Sequence, residues 1–427
     1  MNRFILNYLG IFFLLLSILS FFNIIYSYYF NLYLNINTYF YTLLISLIIG
    51  INSLIKNKVE IKVNIYSKII AVIVGYCLIP LVIALPYYFS IYNVSFLNCY
   101  FESMSGFTTT GFTIFDNIKH LDQSLILWRS TSQWIGGIYF LFSILLLIDI
   151  FDDNLKKSLT NFISFNYSEI FKQSLKILFL YLGITLLLFI LLKLINLRTF
   201  DSFNLAMTII SSGGFLPVND ISSIINTNTK EIIFSVLMLF SYFSLFLIYN
   251  ILFSLTSSMS NIGISLNNSP SNLWFVFLII VVVGGSFFST SSGLRLLKIY
   301  FLFKYSINEI LSYSKPNNIF NTKPILVDFK IEQKDINKYF LSILVFIISL
   351  FIVSSLLSIF NISFEDSFKL AILTLMNTVN SSMYGLSNFD FFQLNSYSKL
   401  TMIIFMIIGR VELLTILIIV KKFLFKT

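Results

Sequence analysis

The chain has 427 residues, of which 57% are hydrophobic, 18% aromatic and only 11% charged. A soluble domain carries about 25% charged residues, so this composition excludes an ordinary soluble protein and indicates an integral membrane protein. The net charge of +9 does not indicate nucleic-acid binding, because Lys and Arg are concentrated in short segments between apolar stretches, as the positive-inside rule predicts.

Several apolar stretches approach or exceed the length of helix that crosses a bilayer, about 20 residues. The first is longer than the apolar core of a signal peptide and has no small-residue cleavage site, so we predict a retained helix. The predicted spans are residues 4–26, 39–55, 68–90, 127–150, 174–195, 230–255, 272–303, 338–360 and 399–424. The basic segments that we place in the cytoplasm are residues 56–68, 156–176, 295–338 and 421–426.

Shorter, semi-polar segments between these spans resemble one another. DSFNLAMTIISSGGF begins at Asp201 and DSFKLAILTLMNTVNSS begins at Asp366, so both share Asp-Ser-Phe-x-Leu-Ala before they turn polar. FESMSGFTTTGF from Phe101 and FSLTSSMSNIGI from Phe253 follow the same scheme. Such recurrence indicates an internal repeat of a span, a short re-entrant helix, a polar loop and a second span. Helix-packing Ser, Thr and Gly are the alternative reading of any single segment.

The polar loops have the composition of an ion pathway. Non-helical backbone at membrane depth is tolerated only where it lines a water-filled path or is buried in protein. Threonine supplies oxygens without charge, and glycine permits the backbone angles that aim successive carbonyls at an axis. The runs 109–111 and 211–214 contain no Asp or Glu, which favours a monovalent over a divalent cation.

These motifs resemble those of the TrkH/KtrB superfamily of potassium transporters. FESMSGFTTTGFT, followed by WRSTSQWIGGI from Trp128, is similar to the first pore unit of that family, and AMTIISSGGF to its second loop. GGSFFSTSSGLRLLK from Gly284 resembles a Gly-rich interruption in a helix of the third unit. MIIGRVELLTILIIV from Met406 resembles the last helix.

The resemblance implies an all-α polytopic membrane protein with four pseudo-repeated helix–pore-loop–helix units around one pore. Two extra helices precede the units. We expect the two extra helices in residues 1–60, and pore units in residues 61–155, 156–249, 250–330 (shortened) and 331–427. Because the third unit has room for one span before its loop, it either contains a short hairpin or has lost its first helix.

The same resemblance implies uptake of a monovalent cation, potassium, across the bacterial cytoplasmic (inner) membrane, by passive or symporter-like ion-coupled conduction. K⁺ is then the transported ion, and the chain itself holds no cofactor. The implied partners are membrane lipid, a second copy in a homodimer and a cytoplasmic nucleotide-binding regulatory subunit; no nucleic-acid partner is expected. Two alternatives remain: a divergent relative that conducts poorly or moves Na⁺, and a multi-spanning membrane enzyme. The enzyme is disfavoured because the connections lack a paired-carboxylate or His-metal cluster.

Matching the family motifs residue by residue gives the candidate filter and gate. In the fourth loop Asn380 is expected where the family has glycine, because Asn is the commonest non-glycine residue at positive φ. A rival register would place Met383 there. The candidate filter residues are Thr109, Thr110, Gly111, Ser212, Gly213, Gly214, Asn261, Ile262, Gly263, Val379 and Asn380. The candidate gate residues are Ser289, Thr290, Ser291 and Gly293, with Arg410 as a positive barrier below the filter.

A few polar residues outside these motifs also have predicted roles. A charge at membrane depth is by default functional, and Glu412 is a poor partner for Arg410 because residues two apart face different sides of a helix. Glu102 and Asp116 are predicted to form a cation-attracting vestibule. His120 is expected at the surface, and Cys77 and Cys99 are too few for a disulfide framework.

Overall fold

The computed structural model describes residues 3–55, 64–90, 92–147, 170–238, 261–262, 273–285, 293–312, 333–386, 389–411 and 415. These residues form α-helices joined by turns and short 3-10 segments, and they contain no strand. In chain order the helices are α1 Arg3–Tyr29, α2 Ile36–Ile55, α3 Ile65–Ile83, α4 Leu85–Tyr88, α5 Phe96–Phe107, α6 Gln123–Leu146, α7 Ile170–Leu194, α8 Thr199–Ser211, α9 Asn228–Met238, α10 Trp274–Val283, α11 Leu296–Ser312, α12 Gln333–Ile359, α13 Phe364–Met376 and α14 Ser396–Val411. The prediction of an all-α protein is confirmed.

Five helical stretches in the described residues are long and apolar enough to cross a membrane. They are Phe4–Tyr29, Ile36–Ile55, Ile65–Tyr88, Ile177–Leu194 and Ile336–Ile359. Many of their Ile, Leu and Phe side chains are exposed on the surface of the protein. In the stretch Ile177–Leu194 only 22% of the residues are buried. An outward apolar surface of this kind fits a lipid solvent, where burial from water is not what drives helices together.

The apolar interior forms two clusters that meet at the helix α5. The first is built from α1, α3, α6, α7 and α8, and it includes Phe107 at the end of α5. The second is built from α10, α12, α13 and α14, and it includes Phe101 and Met104 of α5. Helix α6 is enclosed along almost its whole length, with every residue from Ser124 to Phe140 buried. Its Ser, Thr, Gln and Arg side chains therefore need partners inside the protein.

The predicted span 272–303 is not one continuous helix. Helix α10 ends at Val283, Gly284 has φ +66° and Gly293 has φ +106°. A Cβ on Gly293 would lie 2.5 Å from Gly284 Cα, so the two glycines bring the chain back against itself before α11 begins. The Leu294 amide donates to the Val282 carbonyl at 3.1 Å, which closes this turn. Only glycine adopts such angles without strain, and this explains why the apolar run breaks here.

Several predictions concern residues outside the described ranges. The gate candidates Ser289, Thr290 and Ser291 lie there, as do the filter candidate Gly263 and the acidic residue Glu412. Residues 239–260 also lie outside, so both alternatives for the third unit, a short hairpin or the loss of its first helix, stay predictions. The five domain boundaries likewise stay predictions.

Candidate functional site

Four polar loops share one unusual backbone conformation. The left-handed residues are Thr109 (φ +55°), Ser212 (φ +53°), Asn261 (φ +58°) and Asn377 (φ +49°). In the first, second and fourth loops this residue follows the end of a short helix, respectively α5, α8 and α13. A left-handed residue is a common way to end a helix, and here it turns the chain into a non-helical segment in three loops.

A second hydrogen-bond pattern fixes the register of three of these loops. The residue after each left-handed position donates its amide to the carbonyl five residues earlier. The bonds are Thr110 to Ser105 (2.9 Å), Gly213 to Thr208 (2.9 Å) and Thr378 to Leu373 (3.0 Å). This is the bond that closes a helix in the Schellman motif. The next positions, Gly111, Gly214 and Val379, are therefore structurally equivalent.

The prediction that Asn380 replaces the fourth filter glycine is wrong by one residue. A Cβ on Gly111 would lie 2.7 Å from Gly214 Cα and 3.0 Å from Val379 Cβ, so Val379 is the residue that meets the two glycines. Asn380 instead donates from Nδ2 to the Leu386 carbonyl at 2.8 Å. The rival residue Met383 is fully buried in the second apolar cluster. The reason is that the Asp-Ser-Phe-x-Leu-Ala motif aligns Asn377 with Ser212, and both residues are left-handed, so Val379 aligns with Gly214.

The threonine hydroxyls of the first loop are held by protein partners. Thr109 Oγ1 accepts a hydrogen bond from Arg410 Nη2. Thr110 Oγ1 accepts from Asn377 Nδ2 at 2.9 Å and lies 2.8 Å from Thr108 Oγ1. These contacts brace the first loop against α14 and the fourth loop. The hydroxyls therefore serve mainly to shape the loop, in contrast to the sequence-based expectation that they face an ion.

The backbone carbonyls of these loops have a different environment. Within the described part of the chain, no hydrogen bond reaches the carbonyl oxygens of Thr109, Thr110, Gly111, Gly213, Gly214, Thr378 and Val379. More than 90% of buried backbone carbonyls in proteins have a partner, so such a concentration of free acceptors is unusual. The loops thus combine left-handed turns, close mutual approach and available carbonyl oxygens.

Glu102 does not lie in an open vestibule, which corrects the prediction. Its carboxylate is fully buried, and Oε1 lies 2.9 Å from Arg129 Nε. Oε1 also accepts from Thr113 Oγ1 at 3.0 Å, and Oε2 accepts from the Ile114 amide at 2.8 Å. Arg129 Nη2 donates to Thr113 Oγ1 at 2.9 Å. The ion pair therefore holds the segment that follows Gly111 against α5 and α6.

Helix α6 supports the second loop as well. The guanidinium of Arg129 lies 4.2 Å from the centre of the Phe215 ring. Gln133 Oε1 accepts from the Phe215 amide at 3.1 Å, and a Cβ on Gly213 would collide with the Gln133 amide group. Arg129 and Gln133 lie in the WRSTSQWIGGI motif, and neither residue was predicted to have a role. The available signal was a run of polar side chains inside an otherwise apolar span.

Arg410 contacts the first loop from α14 and shares its surroundings with Arg295. Arg410 is 2% exposed, and its guanidinium lies 4.3 Å from the centre of the Phe140 ring. The Arg295 guanidinium lies 5.3 Å from the same ring, although the sequence placed Arg295 in a cytoplasmic segment. Two positively charged side chains are therefore buried near the same aromatic ring of α6.

The connections that follow the first two loops are tied together and carry acidic groups. Asn219 Nδ2 donates to the Asp116 carbonyl at 2.9 Å, and the Ile118 amide donates to Asn219 Oδ1 at 2.7 Å. Partial burial and the negative charge of Asp390 raise the pKa of the Asp116 carboxyl above its ordinary value. Asp116 is exposed and so fits the predicted vestibule, which pairs it with Asp390 instead of Glu102.

Few other residues in the described structure could bind a metal ion or form a disulfide. His120 is exposed, and Cys77 and Cys99 are both free thiols. No group of three or more His, Cys, Asp or Glu that could hold a metal ion is found in the described residues. The convergent loops are therefore the one place in the described structure where several backbone and side-chain features combine.

Comparison with known proteins gives consistent matches. Residues 248–425 match the model of the TrkH family, described as a cation transport protein. The chain is 27% identical over 406 residues to an uncharacterized cation transporter of Methanocaldococcus jannaschii, covering 81% of this chain and 80% of the other. It is 23% identical over 407 residues to the Trk system potassium uptake protein TrkG of Escherichia coli, covering 78% and 80%. The crystal structure of the potassium transporter TrkH from Vibrio parahaemolyticus superposes with a TM-score of 0.83, 18% identity and 98% coverage of both chains, so the fold is shared.

Proposed function

We propose that this chain is a divergent member of the TrkH family of cation transport proteins and that it takes up potassium through a selectivity filter formed by its polar loops. It is a membrane transport protein and not an enzyme. The filter consists of Thr109–Gly111, Ser212–Gly214, Asn261–Gly263 and Thr378–Val379, and Asn380 lies next to it. The first, second and fourth loops contribute backbone carbonyls near the point where Gly111, Gly214 and Val379 meet.

The observation that supports this proposal is the set of loop carbonyl oxygens that receive no hydrogen bond from the described residues. A buried carbonyl with no partner costs about 1–3 kcal/mol, so several together are costly unless water or a cation binds them. Potassium filters use carbonyl oxygens in this way to replace the hydration shell of the ion. The loops around Gly111 and Gly214 have such oxygens and carry no carboxylate, which supports a monovalent cation.

Transport runs down the electrochemical gradient. An inside-negative membrane potential supplies about 2.3 kcal/mol per charge per 100 mV, which is enough to concentrate a monovalent cation without nucleotide hydrolysis. Asp116 and Asp390 raise the local cation concentration at the entrance, and Arg410 opposes passage beyond the first loop. We further propose a homodimer in the bacterial cytoplasmic membrane, regulated by a cytoplasmic nucleotide-binding subunit, on the strength of the family resemblance. Coupling to a second ion, as in a symporter, belongs to the same proposal.

The test is a flux assay on purified protein in proteoliposomes with an inside-negative potential. The unmodified protein should take up Rb⁺, a tracer for K⁺, and should restore growth at low K⁺ in a host without its own K⁺ uptake. Gly111→Asp should abolish both, because Gly111 has φ +82° and a Cβ there would lie 2.7 Å from Gly214 Cα. Gly183→Ala is the matched control, since nothing lies within 4 Å of the added Cβ.

The outcomes separate the candidate functions. Absence of both Rb⁺ and Na⁺ uptake by the unmodified, correctly folded protein would overturn the transport proposal. Na⁺ uptake that exceeds Rb⁺ uptake under equal gradients would replace potassium by sodium as the transported ion.

A further inference from the structure

At the point where the loops approach one another, Gly111 and Gly214 lie beside a valine, Val379. Val379 occupies the position in the fourth loop that Gly111 and Gly214 occupy in the first and second. The three heavy atoms nearest to a Cβ on Gly214 are Cβ, Cγ2 and Cγ1 of Val379. The isopropyl group therefore fills the space beside Gly214 that another glycine would leave open.

The valine changes what a cation meets at this level. A passing ion must exchange water for oxygen ligands, and the methyl groups of Val379 supply none. Hydrophobic constrictions in channels oppose conduction because water and ions leave narrow apolar segments readily. Gly111 and Gly214 also lie close to each other at this point, since a Cβ on Gly111 would be 2.7 Å from Gly214 Cα. A cation can pass only when the Val379 side chain or the loop moves.

Val379 is held firmly in this place. The preceding Thr378 amide donates to Leu373 at 3.0 Å, and Asn377 Nδ2 donates to both Thr110 Oγ1 (2.9 Å) and the Met406 carbonyl (3.0 Å). Valine is branched at Cβ, which restricts rotation about χ1. Withdrawal of the side chain therefore requires the fourth loop to give up contacts with the first loop and with α14.

We propose that Val379 is an apolar constriction within the filter and that it limits the rate of cation transport. This inference rests on the proposed transport function. It assigns the slow step of permeation to one side chain, so removal of that side chain should speed transport instead of impairing it. The usual effect of a substitution inside a filter is the opposite.

The first experiment compares Rb⁺ uptake by proteoliposomes that contain the unmodified protein, Val379→Ala or Val379→Gly. We expect uptake to rise with each loss of side-chain volume, by about tenfold for Val379→Gly, which corresponds to about 1.4 kcal/mol in the barrier. Val379→Thr keeps the volume but supplies a hydroxyl, and it should give a smaller increase. Val236→Ala is the matched control, because Val236 lies on α9 and is 49% exposed; it should leave uptake unchanged.

The second experiment tests the position of Val379 without any need for transport. Gly214→Ala should lower the thermal unfolding midpoint of the purified protein, because its Cβ collides with Val379. The double variant with Val379→Gly should recover most of that loss. Equal losses in the two backgrounds would show that Val379 does not occupy this position, and the inference would be overturned.

The two experiments together separate failure of the inference from failure of the transport function. If the unmodified protein transports Rb⁺ and Val379→Gly is no faster while folded normally, the constriction is refuted and transport stands. If neither protein carries any cation, the transport function fails and the rate-limiting role fails with it. Faster uptake by Val379→Gly, together with recovery in the double variant, supports both.

Discussion

The buried Glu102–Arg129 ion pair should hold the first loop in place, and Arg129→Met should expose its contribution. The substitution keeps an apolar side chain of similar length but removes the guanidinium. Glu102 then keeps the donors Thr113 Oγ1 and the Ile114 amide but loses its countercharge. Thr113 and Ile114, which follow the first loop, then lose part of the hydrogen-bond network that connects them to α6.

The magnitude follows from the contacts that are lost. Removal of one partner of a buried ion pair costs about 3–5 kcal/mol, and the two remaining hydrogen bonds favour the low end, about 3 kcal/mol. The bond from Arg129 to Thr113 adds about 1 kcal/mol. The stacking on Phe215, with the guanidinium 4.2 Å from the ring centre, adds about 1 kcal/mol. We therefore expect a total loss of about 5 kcal/mol.

The assay is reversible unfolding in detergent, read as a change in unfolding free energy. Arg198→Met is the matched control, because Arg198 is exposed at the start of α8, and an exposed charge contributes about 1 kcal/mol or less. The double variant Glu102→Gln with Arg129→Met should lose less than Arg129→Met alone, because no uncompensated charge remains. Equal, small losses for Arg129→Met and Arg198→Met, or strictly additive effects in the double variant, would refute the reasoning.

Three further predictions concern the filter and its approaches. Gly213→Ala should abolish Rb⁺ uptake because its Cβ collides with Gln133, and Gln133→Ala in the same chain should restore part of it; no recovery would argue against the contact. Arg410→Gln should raise Rb⁺ uptake by removing a positive charge beside Thr109, and unchanged uptake would show that the charge is no barrier. The pKa of Asp116 is raised, so acidification should neutralise it earlier than an ordinary aspartate and reduce uptake at low cation concentration. Asp116→Asn should lower uptake at neutral pH and flatten this pH dependence, which uptake measured across acidic pH would reveal.

Much of the architecture could be read from the chain because it depends on local composition. Apolar stretches of bilayer length predicted the helices α1, α2, α7 and α12 to within a few residues. The repeated Asp-Ser-Phe-x-Leu-Ala motif predicted that α8 and α13 begin and end alike, and both end at a left-handed residue. The glycines at 284 and 293 marked the break in an apolar run, because only glycine takes those backbone angles freely.

Contacts between distant parts of the chain could not be read in this way. From the sequence, Glu102 was predicted to be a vestibule residue and Arg129 had no predicted role. Nothing in the local sequence shows that the two side chains point into the same buried space and form an ion pair. The fourth-loop register was misplaced by one residue, although the Asp-Ser-Phe-x-Leu-Ala motif aligns Val379, and not Asn380, with Gly214. The sequence-based prediction weighed only Asn380 and Met383 for the glycine position and gave Asn377 no role. Asn377 is selected by its bonds to Thr110, 267 residues earlier, and to the Met406 carbonyl.

The sequence by itself determined the membrane class, the helices and the oxygen-rich loops, because hydropathy and backbone preference act over a few neighbouring residues. Tertiary structure decided which atoms of the loops are free and which are engaged. The threonine hydroxyls of the first loop are bonded to Arg410 and Asn377, whereas the backbone carbonyls beside them receive no hydrogen bond from the part of the chain that the structure describes. It also decided that Val379 meets Gly111 and Gly214, because only the packing of separate loops at one point gives a side chain its neighbours.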